Sequence, residues 1–456
     1  MQTGRNLIQI GLLCAALAAA IPGEAQTVTN VAGRGLDSLF IKSDGSLWVM
    51  GQNLDGMLGD GTLNNTNTPQ QIVSNGVVAI AGGLFAHNLF IKSDGSLWAM
   101  GDNFYGQLGD GTSSNTNRPE RIITNGVVAV AAGGGHSLFI KSDGSLWAMG
   151  ANYEGQLGNG TYNNTNTPQL IVSNGVVAAA AGGTHSLFIK SDGSLWAMGQ
   201  NSIGQLGDGT FNTTNLPEQI VSNGVVAVAA GNNHTLFIKS DGSLWGMGNN
   251  LVGELGDGTF NSTNRPERII TNGVVAVAAG PVHSLFIKSN GSLWAMGNNL
   301  YGELGDGTVN FASPTGTNTP QLIVSNGVVA VAGGENHSLF ARSDGSLWAM
   351  GRDAEGELGD GFNGSIAVPE QILPLQQPTW TRMRISSKTN LLLTATCRFG
   401  ATYYVFASTN LTLPLNQWTP VATNLVRESG GANFVRLLLN GFNPAVGQHY
   451  YILRSQ

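Results

Sequence analysis

At 456 residues, with 41% hydrophobic and only 11% charged residues, the chain is long enough for a large folded domain plus a smaller one, and it lacks the charge of a disordered chain. Its 65 glycines call for many tight turns and fit a helix-rich fold poorly. The net charge of −7 is uneven: residues 376 to 456 hold seven Lys or Arg against Glu428 alone, and setting aside Arg5 and Glu24 leaves 13 basic and 26 acidic residues between, which argues against nucleic-acid binding there.

The chain opens with a polar start holding Arg5, an apolar run from Leu7 to Ala20, and small residues ending at Ala25. This pattern predicts a signal peptide over 1–25 and a secreted, periplasmic or cell-surface protein. The apolar run is shorter than the roughly 20 residues that span a bilayer, so no membrane span is expected. Cys14 follows Leu13 rather than a small residue, which argues against a lipid anchor there. Removal of the leader leaves Cys397 alone, so no intramolecular disulfide and no cysteine-based metal site is expected.

From residue 27 to 373 the string Gly-Ser-Leu-Trp recurs, with its Trp at 48, 98, 147, 196, 245, 294 and 348. The steps are 50, 49, 49, 49, 49 and 54, so the unit is about 49 residues, and the sixth copy carries an insertion around 311–316. Each unit predicts four short strands, as at 127–132, 137–141, 145–149 and 168–172. The Asp-Gly pairs at Asp44-Gly45 and its copies predict two-residue type I′ hairpins, and Asn-Gly pairs such as Asn75-Gly76 join one unit to the next. Radial repetition of four-stranded sheets predicts an all-β, seven-bladed β-propeller over 26–374. The segment 27–32 reads as a degenerate copy of the strand missing after Ile372, which predicts that one end of the repeat array completes the other's sheet.

Gly135-His136-Ser137-Leu138, Asp143-Gly144-Ser145-Leu146-Trp147 and the glycine-rich stretch from Gly150 to Gly158 resemble the repeat of the regulator of chromosome condensation family. The resemblance recurs seven times over about three quarters of the chain and implies the propeller. In one slot the chain departs from that family, with Met50, Met100, Met149, Met198, Met247, Met296 and Met350 where Trp is usual. The resemblance also implies guanine nucleotide exchange on a small GTPase, whereas the leader points away from cytoplasmic partners. A third expectation is inhibition of a secreted enzyme, as some secreted propellers resembling this family perform.

Chemistry is sparse. His87, His136, His185, His234, His283 and His337 share one repeat position, filled by Asp37 in the first unit, and six copies suit a hydrogen-bonding role better than a general base. The Gly-Asp-Gly-Thr aspartates read as turn residues. No nucleophile with a base and no phosphate-cradling loop stands out, so a non-enzyme without cofactor or metal is expected. The units differ mainly in the two residues between Asn and Gly of the long loop, on the face opposite the Asp-Gly turns. Candidate ligand-binding residues on that face are Phe85, Phe104, Tyr105, Tyr153, Glu154, Tyr162, Tyr301 and Phe311, and the expected ligand is a protein or glycan. The competing reading packs these aromatics between blades. A monomer is expected.

The region 375–456 shares none of the repeat and predicts a small C-terminal β-sandwich, with strand-like runs at 391–397, 402–407 and 434–439. It resembles C-terminal modules of secreted bacterial repeat proteins and suggests attachment or sorting. Cys397 reads as a small apolar residue of such a strand.

Overall fold

The computed structural model describes residues 27–373 other than Arg34, Phe85 and Ser313, and the backbone of strands between 379 and 455. The expected leader over 1–25, Phe85 and Cys397 lie outside the described residues.

Among the described residues of the repeat region, seven four-stranded antiparallel sheets follow one another, each in strict chain order. Blade 3 shows the pattern: an inner strand Val127–Ala132, a second His136–Lys141, a third Leu146–Gly150 and an outer Thr165–Val172. The inner strands of neighbouring blades adjoin one another around the whole ring, including Val28–Gly33 against Val328–Gly333. This is a seven-bladed propeller, and blades 1 to 7 are numbered in chain order.

The hairpin between second and third strands differs from the expected two-residue turn. Gly144 N–H donates to Lys141 O (2.8 Å) and Lys141 N–H to Ser145 O (3.0 Å), with Gly144 at φ 77°. Asp143 is absent from the left-handed region, so the loop is the three-residue type, a turn followed by a left-handed glycine. The reason lies in Asp143, whose carboxylate accepts both the N–H and the hydroxyl of Ser145; that hydroxyl in turn accepts the indole N–H of Trp147. The relay places Trp147 parallel to Phe139 (centroids 6.1 Å apart) with Lys141 Nζ 4.6 Å over its ring. The whole string Asp-Gly-Ser-Leu-Trp is thereby accounted for.

Among the described residues of the propeller seven apolar clusters form the core, and each spans two blades. In one, Leu39, Ile41, Leu47 and Leu58 of blade 1 receive Phe90 and Met100 of blade 2. The methionine that replaces the family's usual Trp is fully buried here, against Gly59 of the preceding blade, where an added Cβ would lie 2.4 Å from the Met100 sulfur. The seventh cluster joins Leu339 and Leu347 of blade 7 to Phe40 and Met50 of blade 1.

Ring closure does not use a shared sheet. Blade 7 already holds four strands, ending with Ile366–Leu373, and Val28–Gly33 pairs with Asp37–Lys42 inside its own blade. The unit begins with the valine strand, so nothing is missing after Ile372. The last seam is joined as the others are: Val28 N–H donates to Gly345 O (3.0 Å), as Val77 N–H donates to Gly45 O (2.9 Å).

The C-terminal strands fall in a second compact unit and form two antiparallel sheets. One contains Thr379–Ser387, Asn390–Thr396, Phe434–Asn440 and Val426–Arg427; the other contains Thr419–Ala422, Tyr403–Ser408 and Tyr450–Ser455.

Candidate functional site: the loop face of the propeller

The long loop after each third strand is organised by one buried residue, an asparagine in blades 1 to 6 and Asp353 in blade 7. In blade 2, Asn103 is fully buried; its amide N–H groups reach Asp110 Oδ1 (3.1 Å) and Thr112, and its carbonyl accepts Leu108 N–H (3.0 Å). Asp110 accepts Thr112 N–H and hydroxyl, so the Gly-Asp-Gly-Thr aspartates are indeed turn residues. The side chains of the two residues after this asparagine, Phe104 and Tyr105, take no part in the wiring, whereas in blades 1 and 7 the second of the two, Asp55 or Glu355, accepts from a loop asparagine of the next blade. The first of the two projects from a rigid loop, as Leu54, Phe104, Tyr153 and Leu251 do, which explains why it varies freely between blades.

The structure brings three of the predicted site residues together. Phe104 and Tyr105 meet edge to face at 4.9 Å, and Tyr105 lies 5.9 Å from Tyr153. Phe104 is 71% exposed, whereas Tyr105 is half-buried against Gly135, whose added Cβ would lie 2.9 Å from the ring. Tyr105 thus packs between blades, as the competing reading expected, and Phe104 does not. Burial, with Tyr105 and Glu154 nearby, pushes the Tyr153 hydroxyl above its usual range. Glu154 is half-buried on the same loop. Tyr162 on blade 3 and Tyr301 and Phe311 on blade 6 are exposed and join no ring contact with this trio.

The repeated histidines are fully buried and link blades. His136 Nε2 lies 2.8 Å from Ser186 Oγ of the next blade, and Ser186 Oγ donates to Gln156 O (2.7 Å). A hydroxyl that has spent its proton on a carbonyl can only accept, so His136 is the donor and carries its proton on Nε2. The same chain of contacts runs from His87, His185, His234, His283 and His337 to Ser137, Thr235, Ser284, Ser338 and Ser38. Burial lowers the imidazole of His283 to about 4 and that of His337 to about 3. Between blades 1 and 2 the polarity is reversed: Asn88 Nδ2 donates to the Asp37 carboxylate and to Met57 O (2.9 Å).

One further wiring element escaped sequence reasoning. A buried Gln or Glu near the loop's end accepts a backbone N–H two residues earlier and meets the residue five positions before it. The pairs are Gln107 with Asp102, Gln205 with Gln200, Glu254 with Asn249, Glu303 with Asn298 and Glu357 with Arg352. Their matched chemistry was visible in the sequence as a change at one position answered by a change at the other. Burial raises Glu254, Glu303 and Glu357 above the usual carboxylate range. In blade 3 Ala151 offers no partner, and the Gln156 amide nitrogen is buried without one.

A family model described as RCC1-like domain matches residues 118–406, and models of the regulator of chromosome condensation repeat match residues 44–85, 94–140 and 77–107. Among solved structures, human WBSCR16 is 22% identical, covering 73% of this chain and 96% of its own, with a TM-score of 0.64. Prp20p from Saccharomyces cerevisiae, described with its binding to Gsp1p and histones, is 20% identical over 76% of this chain and 90% of its own, with a TM-score of 0.65. No curated protein sequence matches the chain.

Proposed function

The chain belongs to the family of RCC1-like domains, and from that premise we propose that it is a secreted or cell-surface binding module, without catalytic activity, that holds a protein or glycan on the loop face. The observation that carries this reading is the contrast on one rigid loop type: a buried asparagine, replaced by Asp353 in blade 7, beside exposed positions filled by Leu54, Phe104, Tyr153 and Leu251. Exposed apolar anchors on a fixed frame favour recognition, and nothing in the packing calls for them. The histidines are absorbed by the links between blades, which removes them as bases. The C-terminal region is read as a small sandwich that attaches or sorts the propeller.

Capture from native medium or envelope with the chain from residue 26 onward tests the reading, beside an array of glycans and a Phe104→Ala, Tyr153→Ala variant. The expected result is a defined protein or glycan retained by the wild type and lost by the variant. Nucleotide release from a small GTPase accelerated by the wild type would replace this reading with the exchange activity that the family resemblance implies.

A further inference from the structure

The junction of blades 1 and 2 departs from the repeat in several ways at once, and the departures surround one pocket. Asp37 and Asn88 replace His and Ser. Met57 stands where the other blades have Gln or Glu, so Gln52 lacks the buried partner that its counterparts meet. The sequence has four residues between the strands that end at Gly82 and begin at His87, one more than between Ala132 and His136 in blade 3, which accounts for the single step of 50 in the first repeat interval. Ala86, just before His87, has φ 55°, the only positive φ of a non-glycine residue among the described residues.

The pocket has a volume of about 260 Å³, and Leu36, Met57, Leu84 and Ala86 supply its apolar wall. Asp55, Asp102 and Glu335, from blades 1, 2 and 7, supply three half-buried carboxylates. Among the described residues no basic side chain lines it, and no three His, Cys, Asp or Glu side chains are placed to share a metal ion. Burial, with Asp102 nearby, raises Asp55 above its usual range, although Asn115 donates to it. Phe104 stands at this edge, its N–H donating to Asp102 Oδ1 (3.2 Å).

Three separated carboxylates around an apolar wall repel one another, and neither an anion nor a neutral sugar relieves that repulsion. A single ion cannot reach all three. A long aliphatic stem ending in a delocalised or multiply donating cation satisfies both the wall and the rim. We propose that the pocket at the junction of blades 1, 2 and 7 receives a lysine or arginine side chain of a basic polypeptide partner, with Phe104 packing beside it. This rests on the binding reading above and selects protein over glycan.

Fluorescein-labelled hexa-arginine and hexa-lysine, titrated into the full chain by anisotropy at low and physiological salt, test the proposal. Asp55→Asn with Glu335→Gln is expected to weaken binding at least about tenfold. Asp208→Asn with Asp257→Asn removes the same charge from remote turns where Asn159 already shows that Asn serves, and is expected to weaken it less than about twofold. Leu84→Trp, which fills the pocket and keeps every charge, should reproduce the first loss, and thermal melts report folding of each variant. Equal losses from both charge pairs, or no binding by the wild type, overturn the proposal. If the peptides fail while Phe104→Ala still abolishes capture of another partner, the pocket assignment falls and the binding reading stands; if Phe104→Ala changes nothing either, both fall.

Discussion

Six junctions of the ring are joined by a histidine that donates to a hydroxyl of the next blade; the junction of blades 1 and 2 is joined by an amide that donates to a carboxylate. In both arrangements the second residue also bonds a loop carbonyl, so the fold tolerates either direction of donation provided both partners change together. The two differ in charge. Burial holds His283 and His337 neutral, whereas Asp37 is a buried acid whose carboxyl is pushed up to about 7, chiefly by burial. His283 and His337 titrate only in acid, whereas Asp37 adds a titration near neutral pH.

The largest expected effect breaks that difference. Asp37 has a folded value of about 7 against an ordinary 3.8, so the fold favours the protonated acid and stability falls as pH rises from about 4 to about 7. The shift corresponds to about 4 kcal/mol. Asp37→Asn keeps an acceptor for Asn88 and removes the charge; in urea unfolding it should be more stable than wild type by about that amount at pH 8, with the advantage gone near pH 4. His283 and His337 run the other way: their stabilisation is present above 6.5 and lost as pH falls toward about 4 and 3.

Next in size, His136→Ala at a regular junction should cost about 2–3 kcal/mol from the lost buried hydrogen bond and the cavity, at any pH above 7. A pH-dependent loss there would erase the distinction between the two kinds of junction. Lys141→Gln, which removes the cation over Trp147 and touches no junction, should cost about 0.5 kcal/mol in the same assay. Phe104→Ala should shift stability by less than about 0.5 kcal/mol, because the ring is 71% exposed, and its effect should appear only in binding.

Much of this was legible in the sequence. The period of the Trp positions gave seven blades, and the copies of His136 pointed correctly to hydrogen bonding, because a residue repeated at one strand position meets the same neighbours each time. Two features were misread for a physical reason. Asp-Gly suggested a two-residue hairpin, but the Ser145 hydroxyl holds Asp143 in a right-handed turn and leaves only Gly144 left-handed. The array's ends suggested a shared sheet, yet the valine strand opens each blade, and which strand comes first cannot be read from a repeat that has no marked start. The pocket at blades 1, 2 and 7 was invisible because its walls, Leu36, Met57 and Leu84, lie far apart along the chain from Glu335; its local traces were the step of 50 and the odd residues Asp37 and Met57. Among the candidate aromatics, burial alone separated Tyr105 from Phe104.

Ser43 N–H donates to Thr27 O (2.8 Å) as Ser93 N–H donates to Gly76 O (2.8 Å), so Thr27 occupies the place that a joining glycine fills elsewhere in the ring. The seam between blades 7 and 1 is therefore chemically ordinary, and the order in which the blades are synthesised is arbitrary with respect to the finished ring. A circular permutant that links Leu373 to Thr27 through a Ser-Asn turn and opens instead at Asn223-Gly224 should close into the same propeller.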